Sequence, residues 1–129
     1  MAGKIIADTL EHSTAGSIAT NYVVSGSAKA WVNFNGTSTV AIRDDFGTST
    51  LVDNGTGDYT VTMSSAMANA SYSFLGTSSQ AGTGNNGQMV SILASTAPTT
   101  TSVRFRTQQD SVGVTDSEYV CLAVLGDLA

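Results

Sequence analysis

Several residue types are scarce in this chain of 129 residues, and each scarcity excludes a class of protein. Charged residues make up 12% of the sequence, against about 25% in an average domain. The five basic residues are spread along the chain, and the formal net charge is −5. Such a chain lacks the basic stripe that binds a phosphate backbone. We therefore expect no nucleic acid among its partners.

Histidine and cysteine each occur once, as His12 and Cys121. A disulfide framework needs more than one cysteine, and a zinc site needs three or four closely spaced ligands. A Ser-His-Asp or Cys-His site would depend on His12 alone. Cys121 lies in an apolar run, where a small buried side chain is expected. The sequence thus predicts a protein that is not an enzyme, with no catalytic residue, no cofactor and no metal.

Acidic pairs are the remaining candidates for chemistry. Asp44 and Asp45 are adjacent, so in a strand their side chains point to opposite faces. Asp53 and Asp58 flank the link Asn54-Gly55-Thr56-Gly57 and would approach each other across it. Two interpretations stay open: a calcium ion held by both carboxylates and loop carbonyls, or turn hydrogen bonds of the Asx type. The spaced acidic pattern of a calcium loop is missing, which favours the turn.

No segment has apolar residues at the spacing of an amphipathic helix. Apolar residues instead recur at every second position, as in a β-strand with one buried face. Alternate positions are apolar in two clear segments: Ala30, Val32 and Phe34, and then Tyr59, Val61 and Met63. Turn signals separate about eight such segments at a spacing of roughly ten residues. We expect an all-β fold, an antiparallel β-sandwich or jelly-roll of about eight strands.

The N-terminal residues 1–25 are polar over most of their length, and we assign them to an extended anchoring arm ahead of a β-sandwich domain at 26–129. Ile5, Ile6 and Leu10 are the arm residues expected to contact another chain, by adding a strand to a neighbour. Only Ile5-Ile6-Ala7 separates Lys4 from Asp8, which does not fit a signal peptide. No apolar run is long enough to span a bilayer. We expect synthesis in a host cytoplasm and no membrane partner.

Three further side chains are candidates for contacts between subunits. Trp31 points away from Val32 and Phe34, which leaves open an intersubunit contact or an ordinary core position. The last strand, Val120–Leu125, is apolar on both faces, which places it centrally in a sheet or at a subunit interface. Leu122 and Val124 are its predicted contact residues.

Three ordered segments of the body resemble the structural proteins of tailed phages. They are AKAWVNFNGT at 28–37, AIRDDF at 41–46 and DNGTGDYTV at 53–61, and the resemblance covers roughly residues 26–75. Members of such families are small proteins that decorate the virion, tail-fibre tips or receptor-binding domains. The resemblance implies a β-rich homotrimer located in the virion, with other virion proteins as partners. It carries over no catalytic residue.

Two placements within the virion compete. The short segment 1–25 suits an arm rather than a fibre shaft, so we favour a capsid-surface decoration protein, a cement or head-fibre protein, attached through that arm. The alternative is a tail-associated receptor-binding protein or fibre tip that recognises host surface glycans. Its contact surface would be the loop 76–87, where Gln80, Asn85 and Asn86 suit sugar hydroxyls. A lectin-like carbohydrate module unrelated to phage is the third interpretation.

Overall fold

The computed structural model describes residues 3, 5–79, 87–110 and 112–129. This part of the chain contains an N-terminal hairpin, one short helix and nine further strands. In chain order they are β1 (Thr9–His12), β2 (Gly16–Ala19), α1 (Thr20–Gly26), β3 (Ala28–Asn35), β4 (Ala41–Phe46), β5 (Thr48–Gly55), β6 (Asp58–Met63), β7 (Ser73–Ser78), β8 (Gln88–Ile92), β9 (Ser102–Gln109), β10 (Gly113–Val114) and β11 (Val120–Leu125).

Strands β3 to β11 form two antiparallel sheets that share one core. Sheet I has the strand order β4-β3-β11-β7, and sheet II has the order β10-β9-β6-β5, with β8 also paired to β9. Because β6 and β8 both pair with Phe105, they lie on opposite edges of β9. The expected antiparallel sandwich is confirmed. So is the central position of the last strand, since β11 lies between β3 and β7.

Alternation places one face of each central strand in the core. The buried apolar side chains come from inward positions of β3, β6, β9 and β11: Ala30, Val32, Phe34, Tyr59, Val61, Met63, Val103, Phe105, Val120, Leu122 and Val124. The predicted faces of β3 and β6 are therefore confirmed. Phe34 of sheet I meets Tyr59 of sheet II edge to face, with ring centroids 4.9 Å apart. Burying each such large side chain contributes about 1.5–3 kcal/mol, so these four strands hold the sheets together.

The Asn54-Gly55-Thr56-Gly57 link joins β5 to β6 in a hairpin. Tyr59 connects this hairpin to two other segments at the same end of the sandwich. The buried Tyr59 hydroxyl lies 2.9 Å from the Gly36 carbonyl oxygen and 3.0 Å from Asp116 Oδ1. Gly57 has a φ of 58°, and a Cβ there would lie 2.7 Å from the Thr115 carbonyl oxygen. Only glycine fits this turn, because both the backbone conformation and the space exclude a side chain.

Strand β7 is longer than the sequence predicts. We expected a loop to begin at Gly76, because glycine usually interrupts strands, yet β7 continues to Ser78. The reason is tertiary: a Cβ at Gly76 would lie 2.7 Å from Val90 Cγ1. Glycine thus allows β8 to approach β7. The loop residues Gln80, Asn85 and Asn86, chosen as glycan contacts, lie outside the described residues.

The arm has more secondary structure than the sequence predicts. The sequence predicts an extended arm over residues 1–25. The structure instead forms the hairpin β1–β2 followed by α1. From residue 5 to residue 28 every residue is exposed except Thr20, which is half-buried. The described residues include no helix with the length and apolar character needed to cross a bilayer.

Candidate interaction surfaces

The arm is held together by local hydrogen bonds. Strands β1 and β2 pair from Thr9 opposite Ala19 to His12 opposite Gly16. In the turn between them, His12 Nδ1 accepts hydrogen bonds from backbone nitrogens, including that of Ala15 at 3.1 Å. His12 therefore organises a hairpin turn, a role that the sequence did not suggest.

Apolar side chains cover much of the arm. Ile5 and Ile6 are 90% and 83% exposed, and Leu10 is 45% exposed. Four further exposed apolar residues were missed by the sequence analysis: Ile18, Tyr22, Val23 and Val24. Together these side chains expose about 500–600 Å² of apolar surface, taking roughly 130 Å² for each fully exposed side chain. This surface is spread over more than one side of the arm, on a small fraction of the chain.

The apolar residues of the arm are not evenly distributed. Ile5, Ile6 and Leu10 line a cleft of about 400 Å³ together with Val23 and Val24 of α1. These five residues define the cleft side of the arm. Positions 20, 23 and 24 share one side of a helix, whereas position 22 projects from the opposite side.

A hairpin and a helix of this size cannot maintain their structure alone. A two-stranded hairpin is marginal in water, and a seven-residue helix is far below the length at which isolated helices are stable. Between residues 5 and 26 no described side chain is buried. The arm is thus suited to become ordered on a partner that covers its apolar residues.

The joint between arm and sandwich is short and held by a lysine. Ser27 alone separates α1 from β3. Lys29 Nζ donates to the carbonyl oxygens of Val24 and Ser27, the latter at 2.7 Å. A cation at the C-terminal end of a helix also complements the helix dipole. These contacts favour the direction in which α1 meets β3.

The outer face of sheet I carries a second apolar surface. Cross-strand pairing places four residues in one row across the sheet: Phe46, Trp31, Ala123 and Leu75. Phe46 and Leu75 are each 58% exposed, and Trp31 is 36% exposed. A groove of about 500 Å³ runs beside this row, with Cys121 in its lining. This row defines the outer face of sheet I.

Two of the contact residues predicted in the last strand need correction. Leu122 and Val124 point into the core and are almost fully buried, so they are not available to another chain. The opposite face of β11, with Cys121 and Ala123, is the one that reaches the surface. Trp31 is on that outer face as well. It is therefore not the core tryptophan that the sequence analysis left open.

The outer face of sheet II carries an ion-pair cluster around Asp58, with the exposed apolar side chains of Val52 and Met89 elsewhere on the same face. Asp58 is 5% exposed, and its Oδ1 accepts a hydrogen bond from Arg104 Nε at 2.7 Å. Its Oδ2 accepts from Arg104 Nη2 and from Arg106 Nε, each at 3.1 Å. The hydrogen bonds from Arg104, joined by that from Arg106, hold the pKa of the Asp58 carboxyl below its usual value against the opposing effect of burial.

These contacts also decide between the two interpretations of Asp53 and Asp58. Both oxygens of Asp58 are already occupied by guanidinium groups. Asp53 Oδ1 accepts a hydrogen bond from the Gly55 nitrogen at 2.9 Å, which is the predicted Asx-type turn. Among the described residues, no three of His, Cys, Asp and Glu are grouped so that they can hold a metal ion.

A third surface is a groove of about 700 Å³ at the end of sheet II beside Gly87 and β8. Three glutamines line it, but the Gln88 amide is buried and Gln109 is 6% exposed, so Gln108 is the glutamine that a ligand can reach. Val112 adds an apolar wall. Such a lining offers both donors and acceptors to a polar ligand.

Known proteins offer no template for these surfaces. No family model, no curated protein and no solved structure matches this chain. The segments that resemble phage proteins correspond to β3, to β4 and to the β5–β6 hairpin. They therefore lie in the sandwich, and the arm precedes all of them.

Proposed function

We propose that this protein is a structural component of a phage virion, a capsid-surface decoration protein attached through its N-terminal arm. The observation that carries the proposal is the arm, whose exposed apolar side chains do not pack on the chain's own sandwich. The resemblance of residues 26–75 to phage structural proteins supplies the virion as the setting. The virion is thus the proposed location, and other virion proteins are the proposed partners.

The size of the arm surface supports attachment. A standard protein interface buries about 800 Å² on each partner, of which roughly 56–65% is apolar, or about 450–520 Å². The arm's apolar surface, about 500–600 Å², is of that size. An arm of this kind supplies the apolar share of one stable interface and becomes ordered as it binds.

The sandwich suits a structural role rather than catalysis. Its carboxylate whose pKa is lowered, Asp58, is paired with Arg104 and Arg106 in an ion-pair cluster. Its most perturbed tyrosine, Tyr59, has a pKa raised mainly by burial and holds turns together. A group with a shifted pKa has a structural role when its partners are other groups of the fold and it does not line a cleft. A non-catalytic protein is therefore the proposal.

A tail-associated receptor-binding protein or fibre tip is the second candidate. The groove beside Gln108 favours it, because the amide of that side chain matches the donors and acceptors of sugar hydroxyls. In this case the groove would bind host surface glycans. Glycan-array binding of the isolated protein, lost in Gln108→Ala with the fold retained, would support this candidate over decoration.

Immunogold labelling or cryo-EM of purified particles tests the placement. Label spread over the head at high copy number is the expected result, and label confined to the tail would favour the second candidate. Deletion of residues 1–24 should leave a folded sandwich that no longer joins the particle. The substitution Ile6→Lys tests the same point without deletion, with Val52→Lys on the outer face of sheet II as its control. Normal incorporation of the truncated protein would contradict attachment through the arm.

A further inference from the structure

Two exposed apolar surfaces lie on one chain and are kept apart within it. One is the cleft side of the arm and the other is the outer face of sheet I. The single connecting residue Ser27 and the contacts of Lys29 with the end of α1 direct the arm away from its own sandwich. Folding back would break those contacts. The two surfaces are free to meet between copies of the chain.

We propose that the cleft side of the arm of one copy docks on the outer face of sheet I of a second copy. This inference rests on the proposed function and deepens it, because it names the first chain that the arm meets. In such a contact the arm isoleucines and valines cover Trp31, Phe46 and Leu75. In this arrangement the arm reaches the virion as part of an assembled set of copies, with Tyr22 on the opposite side of α1 still exposed.

The areas of the two surfaces fit one interface. The cleft side of the arm exposes about 400 Å² of apolar surface and the outer face of sheet I about 250 Å². If roughly 60% of the contact is apolar, the whole interface buries about 1,100 Å². This exceeds the roughly 1,000 Å² expected of a specific interface. The outer face of sheet I packed on itself would bury less apolar surface and leave the whole arm uncovered.

The contact is heterologous, because each copy gives its arm and receives another. Heterologous contacts close into rings when the rotation between copies allows it. A ring covers every arm cleft and every outer face with one kind of contact. A ring of three copies would be the homotrimer that the phage resemblance implies.

Sedimentation velocity and multi-angle scattering on the full chain provide the test. The expected wild-type species is a closed oligomer whose mass is a whole multiple, at least twofold, of the 13.2 kDa of one chain. Leu75→Lys removes the receiving surface and Ile6→Lys removes the docking surface, so each variant alone should be a monomer. Val52→Lys places the same charge on the outer face of sheet II and should leave the oligomer intact. Wild-type protein that is monomeric at all concentrations would overturn the proposal.

Mixing the two defective variants distinguishes this geometry from others. The intact arm of Leu75→Lys should dock on the intact outer face of Ile6→Lys and give a one-to-one heterodimer that grows no further. Dimers of Ile6→Lys alone would indicate contact between two sheet faces, and dimers of Leu75→Lys alone would indicate contact between two arms. Either result would overturn the proposal. Phe46→Lys serves as a second receiving-surface variant, and circular dichroism checks that each variant is folded.

The same variants separate this inference from the proposed function. Wild-type protein that is monomeric in solution yet labels virions would overturn the inference and leave the function standing. Oligomers with the expected variant pattern but no label on virions would support the inference and overturn the proposed function. Leu75→Lys protein that reaches virions as single copies through its arm would also overturn the inference alone.

Discussion

Replacing Asp58 by asparagine should lower the free energy of unfolding by about 2–3 kcal/mol at pH 7. The carboxylate accepts hydrogen bonds from two guanidinium groups, and the asparagine would turn an amide donor toward them. Removing one partner of a fully buried ion pair costs about 3–5 kcal/mol. The Arg104 and Arg106 side chains are 34% and 41% exposed, so water replaces part of the lost interaction.

Urea unfolding followed by the fluorescence of Trp31 measures this loss. For a domain of this length, 2–3 kcal/mol also lowers the melting temperature by roughly 6–12 °C. Asp45→Asn is the matched control, because Asp45 is exposed on β4 and should change the stability by less than about 0.5 kcal/mol. Equal effects of the two substitutions would refute the assignment of Asp58 as the centre of the cluster.

The effect of Asp58→Asn should depend on pH in one direction. The pKa of Asp58 in the folded protein is lowered from 3.8, so its ion pairs add stability above that pH. This stability is lost as the pH falls below 3.8 and through the folded pKa. The difference between wild type and Asp58→Asn should therefore be full at pH 7 and shrink in acid. A difference that grew in acid would contradict the sign of the shift.

Three further predictions use the same unfolding assay. Tyr59→Phe should cost about 1–3 kcal/mol, because its hydroxyl donates to the buried Gly36 carbonyl oxygen or to the half-buried Asp116 carboxylate, whereas the exposed Tyr119→Phe should cost less than about 0.5 kcal/mol. Gly57→Ala should destabilise more than Gly113→Ala: both glycines have positive φ, and only at Gly57 does a Cβ meet carbonyl oxygens. Expected costs are about 3 kcal/mol and about 1–2 kcal/mol. Leu122→Ala should cost about 2–5 kcal/mol, and a loss below about 1 kcal/mol would contradict its core position.

The sandwich was largely predictable because its strands alternate. In β3 the apolar residues Val32 and Phe34 bracket the polar Asn33, so one face is marked for the core. The last strand lacks this contrast, since both of its faces are apolar. The sequence therefore does not indicate which face is buried, and the prediction of Leu122 and Val124 as surface residues is wrong because both side chains are buried in the core.

Features that depend on distant residues were not predictable. The partners of Asp58 lie on β9, 46 and 48 residues further along the chain, and only strand pairing brings them together. Gly76 was predicted to start a loop because glycine usually interrupts strands. The reason that glycine stands within β7 is its close contact with Val90, which is distant in the sequence. The turn of the arm hairpin is a local feature that the sequence also did not indicate. There the imidazole of His12 accepts a hydrogen bond from the Ala15 nitrogen, and a single histidine does not predict such a role.

The contrast between the two outer faces of the sandwich connects the fold with assembly. Sheet II neutralises the charges of its outer face within the chain, as the arginines around Asp58 show. Sheet I leaves Phe46 and Leu75 more than half exposed, although covering each fully would contribute about 1.5–3 kcal/mol. The arm leaves Ile5 and Ile6 exposed in the same way. The contact that we propose between copies would cover both surfaces, and this gain is the physical reason for proposing it.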